Sequence, residues 1–152
     1  MGTRGTITFI FNGKRIKVYN HWDSYPSGLG VKLIDDLQIL LKSMSIDKII
    51  SALNSIKIFT YGTQPTEDDI KKLEKYTDLS VSNQTTNDIY CLLRGTQGSI
   101  IKILDAGYVC NHESDEECNY AIDFNEKKIL FDNNECGNFD QLQEIKAQFL
   151  GQ

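Results

Sequence analysis

The stretch TITFIFNGKRIKVY at residues 6–19 decides how the chain begins to fold. Apolar and polar residues alternate on both sides of Asn12-Gly13. Alternation of this kind is typical of β-strands with one buried face, and Asn-Gly favours a two-residue turn because both positions need positive φ. The pattern therefore predicts an N-terminal hairpin in which Phe11 faces Lys14.

A two-residue turn also fixes the register of the hairpin beyond the turn itself. Phe9 is expected opposite Ile16, and five pairs further along, Arg4 is expected opposite His21. A slip of one residue would move every apolar side chain to the other face, so the register is strongly specified. The sequence thus predicts that Arg4 lies beside His21.

The rest of the chain alternates helical periodicity with short β-rich runs. Apolar spacing of i, i+3, i+4 predicts helices over 28–44, 46–53, 66–76, 87–106 and 139–149, the fourth of them interrupted by Gly95 and Gly98. Residues 56–61 are expected to form a strand, 108–118 a polar acidic loop, and 120–124 with 128–131 a second hairpin. The expected fold is α+β: two β-hairpins, N- and C-terminal, form an antiparallel sheet covered by several helices within one globular domain, residues 1–152.

Composition excludes several classes of function. The net charge of −5 argues against nucleic acid as a partner of the whole surface. No apolar run has the length of a membrane helix and no signal peptide opens the chain, so no membrane partner is predicted. Four cysteines are too few for disulfides to stabilise a chain of 152 residues. They indicate free thiols in a reducing compartment. A soluble, cytoplasmic protein is expected, with no cofactor.

Arginine is scarce in this chain, which has 13 lysines but only Arg4, Arg15 and Arg94. Together with many Ile and Asn residues, this bias indicates an A/T-rich genome. Because arginine offers a planar fork for bidentate oxyanion contacts, each of the three is a candidate binding residue.

The segment HWDSYPSGLG at residues 21–30 concentrates groups that are able to do chemistry. His21 is a candidate acid or base, Asp23 a group that would orient it, and Ser24 a hydroxyl within reach; these three are the predicted catalytic residues. Sequence neighbours rarely form a hydrolase triad, and no G-x-S-x-G motif is present. The alternative is that the segment only connects the strand to the helix.

The same segment leads into a helix, where free N–H groups favour an anion. Gly28 and Gly30 would supply those N–H groups, and Tyr25 a hydrogen-bonding hydroxyl. Arg4 is added by the hairpin register. Two residues of a later segment, Arg94 and Gln97, complete the predicted ligand-binding set.

Soft metal ligands occur near the acidic loop, at Cys110, His112, Cys118 and Cys136. Their spacing matches no standard zinc motif and contains no Cys-x-x-Cys pair. No metal site is predicted.

Four segments together resemble a family of uncharacterised small proteins from bacteriophages, some bacteria and large DNA viruses. They are GTRG at 2–5, YNHWDSYPSGLG at 19–30, IYCLLRGTQG at 89–98 and YAID at 120–123. Trp22 stands where the family usually has Phe, and the 108–118 loop departs from the family pattern. The resemblance implies a viral source, and with it an infected host cell as the location, but it implies no reaction.

Two interpretations follow for the function. In the first, residues 21–30 form the centre of a site that binds an anionic small molecule or performs catalysis on it. In the second, the chain is a non-catalytic module that binds a host or viral protein, residues 21–30 are a structural core, and the acidic run 113–117 is a docking surface.

Overall fold

The computed structural model describes residues 2–80 and 85–152, which form both β-strands and helices. The elements in chain order are β1 (Gly5–Phe11), β2 (Lys14–Asn20), a π-helical turn (Pro26–Gly30), α1 (Val31–Ser43), α2 (Ile46–Asn54), β3 (Lys57–Phe59), α3 (Glu67–Lys72), a 3₁₀ turn (Glu74–Tyr76), α4 (Ile89–Leu93), a 3₁₀ turn (Arg94–Thr96), α5 (Ile100–Ala106), β4 (Tyr108–Cys110), β5 (Cys118–Asp123), β6 (Lys128–Phe131), β7 (Asn134–Asn138), a 3₁₀ turn (Phe139–Gln141) and α6 (Leu142–Leu150).

The N-terminal hairpin forms in the predicted register. Phe11 pairs with Lys14, and the ladder continues to its last pair, Gly5 with Asn20. Asn12 and Gly13 have φ values of 49° and 74°, as a turn with two left-handed positions requires.

The two hairpins join into one five-stranded sheet with the order β2-β1-β5-β6-β7. The predicted α+β class is confirmed, with helices packed on a sheet that contains both hairpins. The sheet is mixed, however, because β1 pairs with β5 in parallel, from Gly5 opposite Cys118 to Ile10 opposite Asp123. The expectation of a purely antiparallel sheet is corrected at this joint.

One face of the sheet packs against α1, α5 and α6. Alternate residues of β1, β5 and β6 point to this face because side chains along a strand alternate. Fully buried members include Ile7, Phe9, Ile122, Ile129 and, on the helices, Leu33, Leu37, Ile145 and Phe149. This cluster holds the ends of β1 and β5, and with them residues 21–30, in place.

A smaller second cluster surrounds the parallel pair of β3 and β4. The prediction of a loop over 108–118 is wrong for Tyr108–Cys110, which form β4. The expected strand 56–61 is limited to Lys57–Phe59. The predicted interruption of the helix 87–106 is confirmed, with Gly98 at a φ of 81° between α4 and α5.

Across residues 2–80 and 85–152, no helix is long and apolar enough to cross a membrane. Within the same described ranges, none of the four cysteines forms a disulfide.

Candidate functional site

Arg4 and His21 follow directly after the last pair of the N-terminal hairpin. They line one cleft together with Trp22, Gly2 and two acidic residues, Glu116 and Glu117. We call this the Arg4 cleft. It brings the two residues together, as the register predicts, but it places carboxylates beside the arginine.

His21 is held by contacts on both its backbone and its ring. Its backbone N–H donates to Gln97 Oε1 at 3.0 Å, and its Nδ1 lies 2.7 Å from the hydroxyl of Tyr19. Burial lowers the pKa of His21, and the positive charges of Arg4 and Arg94 lower it further. The neutral imidazole is favoured, and its tautomer sets which of the two groups, the Tyr19 hydroxyl or Nδ1, is the donor.

Ser24 lies in the core rather than in a cleft. Its side chain is fully buried, and its Oγ accepts from Asn20 Nδ2 at 2.8 Å and donates to the Asn20 carbonyl at 3.3 Å. Its backbone carbonyl accepts from the Tyr120 hydroxyl at 2.6 Å. The structure therefore gives Ser24 a structural role and does not bring it to His21 as a reacting hydroxyl.

Two of the N–H groups expected to cradle an anion are already used inside the protein. The N–H of Gly28 donates to the Tyr25 carbonyl and that of Leu29 to the Asp23 carbonyl, both at 2.9 Å. Gly30 is buried. The connection therefore uses the Gly28 donor for its own turn.

The two glycines serve close packing instead. A Cβ on Gly28 would collide with the Asp23 carbonyl oxygen, and a Cβ on Gly30 would lie 2.8 Å from Cδ2 of Phe149. Asp23 itself has a positive φ of 52°, which turns the chain sharply between His21 and the helix.

A second cleft, which Trp22 also lines, has a volume of about 270 Å³. We call it the Arg94 cleft. Its lining combines two cations, two aromatic rings and several polar groups: Asn20, Trp22, Asp23, Tyr25, Gly28, Leu29, Lys32, Arg94, Gln97 and Gly98. Five predicted site residues meet here, namely Asp23, Tyr25, Gly28, Arg94 and Gln97.

Arg4 and Arg94 therefore line different clefts, and Trp22 contributes to both. The expectation that both arginines hold one anion is not supported by this separation. Both nevertheless lie near enough to His21 to affect its pKa.

Arg94 has an unsatisfied donor. Its Nε is buried and, within the part of the chain that the structure describes, has no hydrogen-bond partner. A buried donor without an acceptor costs about 1–3 kcal/mol. Native proteins keep few such groups, so each one calls for an explanation.

Lys32 is a residue that the sequence analysis missed. It lies in the first turn of α1, and a Cβ built on Gly98 would lie 3.5 Å from its Nζ. The ammonium group thus reaches the Gly98 side of the Arg94 cleft. A lysine near a helix N-terminus is disfavoured by the helix dipole, and that first turn contains no acid. This mismatch is the sequence signal that could have identified it.

The chain's two histidines lie on either side of Tyr19. The Tyr19 ring is 5.0 Å from the His112 ring between centroids, while its hydroxyl bonds His21. His112 Nε2 lies 3.0 Å from Glu116 Oε2, and its Nδ1 lies 3.1 Å from the Tyr61 hydroxyl. A carboxylate–imidazole–phenol chain resembles an activated nucleophile.

The protonation of the phenols argues against that chemistry. Burial raises the pKa of both Tyr19 and Tyr61, so each keeps its proton. The network fixes the segment after β4 against β2, where the backbone N–H of His112 also donates to the Lys17 carbonyl at 2.8 Å. In the described portion of the chain, no three acidic, Cys or His side chains are grouped to hold a metal ion.

Comparison with known proteins adds no assignment: no family model, curated protein or solved structure matches the chain.

Proposed function

We propose that this protein binds an anionic small molecule in the Arg94 cleft. Arg94 and Lys32 would hold the anion. Gln97, whose side chain is bonded to the His21 N–H, would hold the wall next to Arg94 in place. The observation that carries the proposal is the buried Nε of Arg94, which lacks an acceptor in the described residues.

A ligand oxygen would supply that missing acceptor. The guanidinium is a fork whose Nε–H and one Nη–H match two oxygens of a phosphate or carboxylate. Because water does not reach Nε in the present conformation, ligand binding would have to turn the half-buried side chain toward the cleft. A long unbranched side chain permits such a turn.

Charge favours the Arg94 cleft over the Arg4 cleft. The first is lined by Lys32 and Arg94 with one acid, Asp23. The second has Arg4 with two acids, Glu116 and Glu117. Repulsion from these carboxylates would oppose an anion, so the Arg4 cleft is left out of the proposal.

The docking interpretation has less support from the described contacts. In the acidic run 113–117, Asp115 pairs with Lys17 at 2.6 Å and Glu116 with His112 at 3.0 Å. These charges are already used within the chain. No reaction is proposed, because Ser24 is buried and the phenols keep their protons.

The proposal also includes a source and a location for the protein. The four segments that resemble a phage and large-DNA-virus family, and the lysine-rich, arginine-poor composition, support a viral protein that acts inside an infected cell.

A thermal-shift screen tests the proposal. Inorganic phosphate, a sugar phosphate, a nucleoside monophosphate and a dicarboxylate are added to the protein. A ligand at about 100 times its Kd should stabilise the fold by about 2.7 kcal/mol. Arg94→Gln should abolish this shift, whereas Arg15→Gln, at the far end of β2, should retain it.

Stability without ligand gives an independent readout. Arg94→Gln removes an unsatisfied donor. Without ligand, its free energy of unfolding should therefore lie within about 0.5 kcal/mol of that of the original protein, or above it. The proposal fails if no anion shifts the transition, or if the shift persists in Arg94→Gln.

A further inference from the structure

We infer that the anion bound in the Arg94 cleft is a nucleoside monophosphate, an inference that rests on the proposed function above. The cleft has an aromatic wall and a cationic wall. A nucleoside monophosphate carries a base that suits the first and a phosphate that suits the second.

The aromatic wall is made by Trp22 and Tyr25, whose side chains are 51% and 41% exposed. Most of the chain's other aromatic rings are packed in the two hydrophobic clusters. An exposed tryptophan that lines a cleft offers a flat surface on which a base can stack.

Trp22 is fixed rather than free to turn. Its six-membered ring lies so close to Gly2 that a Cβ there would collide with it, and its ring meets that of His21 edge to face at 4.6 Å. Its carbonyl accepts from Asn20 Nδ2 at 2.7 Å. A surface that is already ordered costs little entropy when a ligand stacks on it.

The cationic wall is formed by Arg94 and Lys32, which come from elements other than the aromatic wall. A phosphate held there would leave the base free to extend toward Trp22 and Tyr25. One phosphate suits this wall, because two cations oppose about two negative charges.

Acceptor groups line the same cleft. The exposed Asp23 side chain is next to Trp22 in sequence, and Asn20 Oδ1 would lie 3.4 Å from a Cβ on Gly98. A carboxylate and an amide oxygen accept from ribose hydroxyls and from the amino or imino groups of a base. A ligand without such donors would leave both unused.

The size of the cleft limits the ligand to one nucleotide. Its volume of about 270 Å³ lies near the lower end of the range for small-molecule sites. A dinucleotide or a nucleic-acid strand would extend beyond it, which agrees with the net charge of −5.

The chain's single tryptophan makes the test direct, because Trp22 is the only indole fluorophore. The protein is titrated with the four nucleoside 5′-monophosphates, with ribose 5-phosphate, with inorganic phosphate and with the corresponding nucleosides. Quenching of Trp22 is followed, and calorimetry gives each Kd. At least one nucleotide should quench Trp22 and bind about tenfold or more tightly than ribose 5-phosphate.

Variants separate the two walls. Tyr25→Ser and Trp22→Leu, the latter measured by calorimetry, should each weaken nucleotide binding by about tenfold and change phosphate binding by less than about twofold. Lys32→Gln should weaken both nucleotide and phosphate by about tenfold. Tyr61→Leu, an exposed aromatic outside the cleft, is the matched control and should change neither.

The outcomes distinguish this inference from the proposed function. If ribose 5-phosphate or inorganic phosphate binds as tightly as every nucleotide, the nucleotide inference is overturned and the anion site stands. If nucleosides bind as tightly as nucleotides, the phosphate contribution is overturned. If none of these compounds binds, both the inference and the proposed function fail.

Discussion

The hydroxyl of Tyr120 donates a 2.6 Å hydrogen bond to the backbone carbonyl of Ser24. One phenol on β5 thus holds the middle of the connection between β2 and α1. The connection owes its shape to this buried side chain as much as to its own sequence.

Removal of that hydroxyl should destabilise the fold. Tyr120→Phe leaves the buried Ser24 carbonyl without this partner, at a cost of about 1–3 kcal/mol. Urea unfolding measures the change, and Tyr25→Phe, at a tyrosine that is 41% exposed, should cost less than about 0.5 kcal/mol. Equal effects of the two variants would contradict the central role given to Tyr120.

Gly30→Ala should destabilise the protein through packing. The backbone of Gly30 is right-handed helical, with φ of −56°, so alanine is sterically allowed there. Its Cβ would lie 2.8 Å from the Phe149 ring, and overpacking of this kind costs about 1–3 kcal/mol. Gly62→Ala has open space around its Cβ and is the control, expected within about 0.5 kcal/mol. A neutral Gly30→Ala that loses only ligand binding would restore the anion-cradle interpretation.

Asp69 should be the carboxylate whose loss most weakens the smaller cluster. It is 2% exposed and accepts from the Thr66 N–H at 2.9 Å, the Tyr108 hydroxyl at 3.0 Å and Lys57 Nζ at 3.3 Å. Asp69→Asn should cost about 1–3 kcal/mol in urea unfolding. Its neighbour Asp68 is exposed and pairs with Lys72 in the same helix, so Asp68→Asn should cost less than about 0.5 kcal/mol.

The contribution of Asp69 to stability should also depend on pH. The backbone N–H of Thr66 is the main cause that lowers the pKa of Asp69 below its usual 3.8. Its stabilising contribution is therefore complete above pH 3.8 and is lost as the pH falls below that value through the folded-state pKa. Below pH 3.8 the original protein should lose more stability than Asp69→Asn does; parallel losses would contradict this assignment.

His21 should titrate below an ordinary histidine. Its pKa is lowered from 6.5 by burial, then by Arg4 and Arg94. The unfolded chain therefore binds this proton more readily, so the free energy of unfolding should fall as the pH drops below 6.5, and His21→Asn should reduce that slope. NMR titration of the ring protons measures the midpoint directly.

The causes of that shift can be separated by charge removal. Arg4→Gln should raise the His21 midpoint partway toward 6.5, and a bound phosphate that neutralises Arg94 should raise it too. Arg15→Gln should leave it unchanged. A midpoint above 6.5 in the free protein would show that burial and the arginines do not control this imidazole.

The hairpin register could be predicted because it depends on neighbouring residues. Asn12-Gly13 sets the turn, and the alternation of Phe9 and Phe11 selects the buried face. The strand β7 was missed, although its turn at Asp132-Asn133 has φ values of 48° and 67°. Asp and Asn tolerate these values, but without glycine the turn signal is weak.

The sequence indicates a segment that borders two clefts, but not how its residues are divided between them. His21 and Trp22 line the Arg4 cleft, and Trp22, Asp23 and Tyr25 line the Arg94 cleft. Ser24 is instead buried and bonded to Tyr120, which lies far away in sequence. Contacts of this kind are set by tertiary packing, and local patterns do not report them.

The parallel joint between β1 and β5 brings together residues 113 positions apart, as in the pair of Thr6 and Asn119. Each hairpin closes a short loop and can form on its own timescale, whereas this pairing requires the closure of most of the chain. The Tyr120 contact to Ser24 spans the same joint, and the connection that borders the clefts depends on it. We therefore expect binding competence to be acquired last in folding, after both hairpins have formed.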